Sequence, residues 1–122
     1  MIGYVTLGTN DLARAQTFYD ALFATLGATR QWESERSTGW GTSPQAPALA
    51  VIKPFDGQPA TVGNGVMVAL VMPSREAVDA FYAKAIELGA TDEGKPGPRG
   101  TGGYYGSYFR DPDGNKIAAY HD

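Results

Sequence analysis

This sequence predicts an α+β chain built from two βαβββ modules, and three observations carry the prediction. Hydrophobic periodicity runs from a strand to a helix to short strands, and then does so again. Fragments recur at an almost constant spacing: "VTL" at 5–7 and "VAL" at 68–70 stand 63 residues apart, as do the "FY" pairs at 18–19 and 81–82, and "LGAT" at 26–29 returns 62 residues later at 88–91. Three matches in one order at one offset argue for a duplicated unit. Between the copies lies "PFDGQPATVGNG", residues 54–65, rich in glycine and proline and read as a connection. One domain over 1–122 therefore holds a first module at about 1–60 and a second at about 61–122. Two curved sheets with helices on their outer faces would leave a concave inner surface.

Tyr4–Gly8 alternates as a strand, with Val5 and Leu7 on one face and Tyr4 and Thr6 on the other. Asn10 is placed to cap a helix carrying Leu12, Ala15, Phe18, Tyr19, Leu22 and Leu26, which Gly27 ends in a left-handed conformation. Short extended stretches follow around Arg30–Ser34, Gly39–Thr42 and Ala48–Lys53. The second copy opens with a strand over Val66–Met72, stopped by Pro73. Ser74 caps a helix carrying Val78, Phe81, Ala85 and Leu88, and Gly89 ends it. Residues 94–106, "GKPGPRGTGGYYG", read as a flexible loop running into a strand at about Tyr104–Arg110, and Lys116–His121 makes the last strand.

Composition narrows the function. With 43% hydrophobic and 19% charged residues the chain is ordinary for a globular protein. A net charge of −3 without any basic run makes nucleic acid and anionic membrane poor partners. No apolar run reaches the roughly 18–20 residues of a spanning helix, and the amino end has neither a basic n-region nor an apolar signal core. A cytoplasmic location is the expectation. Cysteine is absent, so thiol nucleophiles and cysteine metal sites are excluded, and a single histidine limits other metal sites.

The segment "RDPDGNKIAAYHD", 110–122, looks at first like a cation loop. "DPDGN" is better read as a turn, because proline presets φ at its second position and glycine supplies a positive φ. A calcium loop needs more oxygen ligands, including an acidic residue far downstream, where this sequence has ended. His121 falls on the strand face opposite Ala118 and Tyr120 and reads as a fraying tail residue.

With the repeat and the closing "YFRDPDGNKI" in hand, the sequence resembles the glyoxalase/bleomycin-resistance/dioxygenase family, the vicinal oxygen chelate superfamily. "YVTLGTNDLARAQTFYDALFATLGA", "PSREAVDAFYAKAIELGAT" and "GSYFRDPDGNKIAAY" carry the resemblance over essentially the whole chain. It implies paired βαβββ modules curling into an open, barrel-like mixed sheet around a small-molecule site, and commonly a homodimer. Metal enzymes of that family place a ligand on the first strand of each module and a glutamate on the closing strand. By position these fall at Tyr4, Met67 and Ala118. A neutral phenol, a thioether and a methyl group are no set for a divalent ion, so neither a metal nor another cofactor is expected.

The pleat that turns Tyr4 inward also turns Thr6 inward, with Met67 and Ala69 answering from the second module. Resemblance adds Tyr104, Tyr108, Ala118 and Tyr120, giving an apolar, aromatic lining with phenol hydroxyls as polar handles. Core packing explains the same residue types, and so it does for Trp32 and Trp40, which otherwise stack on a planar ligand. Arg99, in the glycine-rich loop, is placed to clamp an anion when the loop closes, or stands exposed without a role. "GKPGPRG" lacks the order of a phosphate loop. No nucleophilic set or inward carboxylate pair is visible. Two readings follow: a metal-free protein binding a small apolar or aromatic molecule, and an enzyme of the family (lyase, isomerase or dioxygenase type) with non-standard catalytic residues.

Overall fold

Each half of the chain builds one four-stranded mixed sheet with a helix laid across one face. The computed structural model describes residues 1–122 and divides into two compact units, Met1–Val62 and Gly63–Asp122. The first contains β1 (Tyr4–Gly8), α1 (Leu12–Ala24), β2 (Thr29–Glu33), β3 (Ser37–Gly41) and β4 (Ala48–Ile52). The second contains β5 (Val68–Val71), α2 (Arg75–Glu87), β6 (Thr91–Pro98), β7 (Tyr105–Arg110) and β8 (Lys116–His121). The sheets are ordered β1-β4-β3-β2 and β5-β8-β7-β6, so both units have the same topology. In each, the first strand pairs parallel with the last and the remaining pairs are antiparallel. The α+β architecture of two βαβββ modules is thus the observed one.

The repeated sequence fragments do the same structural work twice. Gly27 and Gly89 both adopt positive φ, 71° and 102°. After each, the next amide reaches back into the helix, Ala28 to the Phe23 carbonyl at 3.1 Å and Ala90 to the Ala85 carbonyl at 2.9 Å. That closure satisfies carbonyls left open at a helix end. Phe18 and Phe81 are both buried under their helices. The first core gathers Phe18, Tyr19, Leu22 and Phe23 of α1 over Leu7, Trp40, Leu49 and Val51. The second gathers Val78, Phe81 and Ala85 of α2 over Phe109, Ile117 and Ala119.

Four sequence expectations change. The cap of α1 is Asp11, whose carboxylate accepts from the Arg14 amide at 3.0 Å. Asn10 instead grips the connection at Ala60, donating to its carbonyl at 3.0 Å and accepting from its amide at 2.7 Å. Gly94–Pro98, expected in a loop, form the second half of β6. This is an edge strand with two register shifts, where prolines cost no ladder bond and glycines bend the chain. Strand β5 is shorter than expected, leaving Met67 just ahead of it. His121 does not fray: it pairs with Tyr105, and its Nδ1 lies 3.0 Å from the Met72 carbonyl, to which it donates.

The closing turn behaves as expected. Gly114 takes a φ of 91°, and the buried Asp111 carboxylate accepts from the Asp113 amide, the Asn115 amide and the Asn115 side chain at 2.9–3.0 Å. Its oxygens are spent on the turn itself. No helix is long and apolar enough to cross a membrane.

Candidate aromatic sites on the open sheet faces

Helices cover only one face of each sheet, and the faces turned away from them carry most of the expected site residues. In the first module, cross-strand register puts Thr6 beside Ala50, Ala50 beside Gly39, and Gly39 beside Trp32. Strand neighbours in register point the same way, so Thr6 and Trp32 share the open face with Tyr4. Gly39 is the seat of this arrangement: the Trp32 ring packs against it, where any β-carbon would overlap the ring. The Trp32 indole N–H donates to Ser37 Oγ at 3.2 Å, and Tyr4 meets the indole edge-on with ring centres 5.4 Å apart. Tyr4, Thr6, Trp32, Ser37 and Ile52 together line an open cavity of about 330 Å³. Its lining is mostly apolar, with hydroxyls from Tyr4, Thr6 and Ser37.

Trp40 is not part of it. Opposite parity in β3 turns it under α1, where it is 2% exposed, packs against Tyr19 and Phe23, and donates to Asp20 Oδ1 at 2.8 Å. That carboxylate also pairs with Arg30, which is the main reason its pKa sits below the ordinary value. Trp40 is a core residue with one satisfied polar atom.

In the second module, register aligns Ala69 with Ala118, Ala118 with Tyr108, and Tyr120 with Gly106 on one face. Glycines again seat rings. A β-carbon at Gly106 would stand 2.7 Å from the Tyr104 ring, and one at Gly94 would stand 2.8 Å from Tyr108. Tyr104 stacks on Tyr120 with ring centres 5.2 Å apart and planes 7° from parallel. Burial first, and then a hydrogen bond with Tyr108, push the Tyr104 phenol up to about 12, so it stays protonated at neutral pH. Arg99 folds back over β6, donating to the carbonyls of Lys95, Gly97 and Pro98, with its guanidinium 5.4 Å from the centre of the Tyr108 ring. It is already anchored, which replaces the expectation of a loop that must close. Ala118 lies on this face but is wholly buried, so it is floor rather than contact surface.

The family's metal does not fit these residues. Ala118 offers no donor atom, Met67 is a 41% exposed thioether, and Tyr4 has only a phenol, its ring packed against Trp32. No three His, Cys, Asp or Glu side chains come together in a group able to hold a metal ion.

Sequence reasoning missed Ser37 and Ile52 in the first module and, in the second, Lys116, whose ammonium stands 5.5 Å from the Tyr108 ring centre. Ile52 and Lys116 were legible in principle, since alternation through β4 and β8 puts them on the open faces with Ala50 and Ala118. Ser37 was not, because β3 begins earlier than its sequence suggests.

Comparison with known proteins agrees with this architecture. A family model described as the Glyoxalase/Bleomycin resistance protein/Dioxygenase superfamily matches residues 1–119. A glyoxalase/bleomycin resistance protein from Albidiferax ferrireducens T118 is similar at 41% identity with a TM-score of 0.89, over 100% of this chain and 98% of that one. A glyoxalase/bleomycin resistance protein/dioxygenase family enzyme from Burkholderia phytofirmans PsJN shares the fold at 18% identity and a TM-score of 0.76, covering 98% and 96% of the two chains. Lactoylglutathione lyase from Agrobacterium tumefaciens does so at 21% identity and 0.72, covering 99% and 92%. A search of the curated proteins found no match. Repeated topology, the closing turn and a family match over almost the whole sequence converge: the chain belongs to the Glyoxalase/Bleomycin resistance protein/Dioxygenase superfamily.

Proposed function

We propose that this protein binds a small apolar or aromatic molecule without a metal ion, using the aromatic open faces of its sheets. The observation that carries this reading is the seating of large rings on glycines, Trp32 on Gly39, Tyr104 on Gly106 and Tyr108 on Gly94. A ring packed against the backbone of a glycine has lost freedom before the ligand arrives, which lowers the cost of binding. Tyr4, Thr6, Trp32 and the second-module residues Met67, Ala69, Arg99, Tyr104, Tyr108 and Tyr120 are the proposed contacts, with Ala118 beneath them. The donor chemistry at Tyr4, Met67 and Ala118 supports the metal-free part. The same proposal has the protein acting in the cytoplasm as a homodimer.

The test is a titration with neutral planar aromatics such as 2-naphthol, followed by Trp32 fluorescence and by backbone amide shifts. A Kd of about 10–100 μM, with shifts confined to the open faces and weakened by Trp32→Ala, is the expected result. Elemental analysis run alongside should find no stoichiometric metal. One bound divalent ion per chain that raises the Tm would sink the metal-free reading, and absence of binding across a broad aromatic panel would sink the binding one.

A further inference from the structure

We infer that the second module's open face takes a planar organic acid, its carboxylate held between Arg99 and Lys116 beside the Tyr108 ring. This rests on the aromatic-site reading above and names the ligand's charge. Two cations converge on one phenol ring there: the Arg99 guanidinium stands 5.4 Å from the Tyr108 ring centre and the Lys116 ammonium 5.5 Å. Neither has a carboxylate partner. Arg99 donates from Nη1 and Nη2 to three β6 carbonyls, which leaves Nε–H and one Nη2–H for a ligand oxygen.

Lys116 stands in the ladder without a carboxylate of its own. Its cross-strand partner in the β7–β8 ladder is Arg110, a like charge directly opposite. Arg110 is answered by Glu93 at 2.7 Å, and it donates to the Gly114 carbonyl at 3.0 Å. Lys116 has no such answer. A chain of net charge −3 therefore concentrates two unmatched positive charges on one aromatic face. Gly94 and Gly97 make room for this, since β-carbons there would stand 3.4 Å and 3.1 Å from the Arg99 guanidinium. An anion that reaches both cations at the Tyr108 ring would answer their charge, with its own ring extending toward the stacked Tyr104 and Tyr120.

The probes are 2-naphthoate and its neutral isostere 2-naphthamide, titrated at fixed low salt and followed by amide shifts of β6, β7 and β8. We expect the acid to bind this face at least about tenfold more tightly than the amide. Lys116→Met should remove most of that preference and leave amide binding unchanged, and Arg99→Lys should keep part of it. Equal binding of both probes here overturns the inference while leaving the aromatic-site reading intact. A preference for the acid that survives both Lys116→Met and Arg99→Gln overturns it too. So does failure of both probes to shift this face at millimolar concentration; binding of either in the Trp32 cavity would then preserve the broader reading.

Discussion

Replacing Gly39 with alanine tests whether a glycine seat holds the first module's aromatic wall. A methyl group at residue 39 occupies space now filled by the Trp32 ring, and the obstacle is a rigid indole rather than a flexible chain end. The ring must lift off the sheet. Lifting it breaks the edge-on contact with Tyr4, worth about 0.5–1.5 kcal/mol, and the Ser37 hydrogen bond, worth a similar amount. Alanine returns about 0.4–1 kcal/mol by restricting the unfolded chain. The net loss is roughly 1–2 kcal/mol, or a fall in Tm of about 4–8 °C for a chain of this size. Trp32 emission should shift to the red while Trp40, 2% exposed under α1, holds its own. The deciding control is the same substitution in a Trp32→Ala background, where no ring stands in the way and Gly39→Ala should become neutral or slightly stabilising. An equal loss of Tm in both backgrounds would refute the seat argument and put the cost in the backbone.

Two further predictions follow from the fold. Asp111→Ala strips the closing turn of an acceptor for two backbone amides and the Asn115 side chain, and should cost about 3 kcal/mol in denaturant unfolding. Asp111→Asn, which keeps one acceptor oxygen, should lose less, and an Asp111→Ala variant as stable as the parent would show that the carboxylate is not what holds the turn. The Tyr82 phenol, pushed up to about 12 by burial first and then by its hydrogen bond to Asp92, favours the folded state while protonated. That contribution is complete below pH 10, the ordinary tyrosine value, and is lost as pH rises toward 12. Tyr82→Phe should therefore flatten the alkaline limb of a pH–stability profile; an unchanged slope between pH 10 and 12 would count against the assignment.

The sequence by itself determined the two-module plan, because each repeated fragment carries a local instruction. Periodic apolar residues make the helices, a glycine just past each helix closes it, and "DPDGN" carries the residues that a tight turn favours. It also determined which residues of a strand share a face, since alternation needs no partner to be legible. Tertiary structure decided the rest. Whether Gly94–Pro98 is loop or strand depends on β7 being there to pair with it. Trp32 and Trp40 look alike in sequence, yet their opposite parity in the sheet sends one to an open slot and the other under α1. The isolation of Lys116 emerges only when register sets it against Arg110 and Glu93 takes the other cation. Local chemistry specifies elements; register and burial, which join residues distant in the chain, decide which side chains those elements leave exposed.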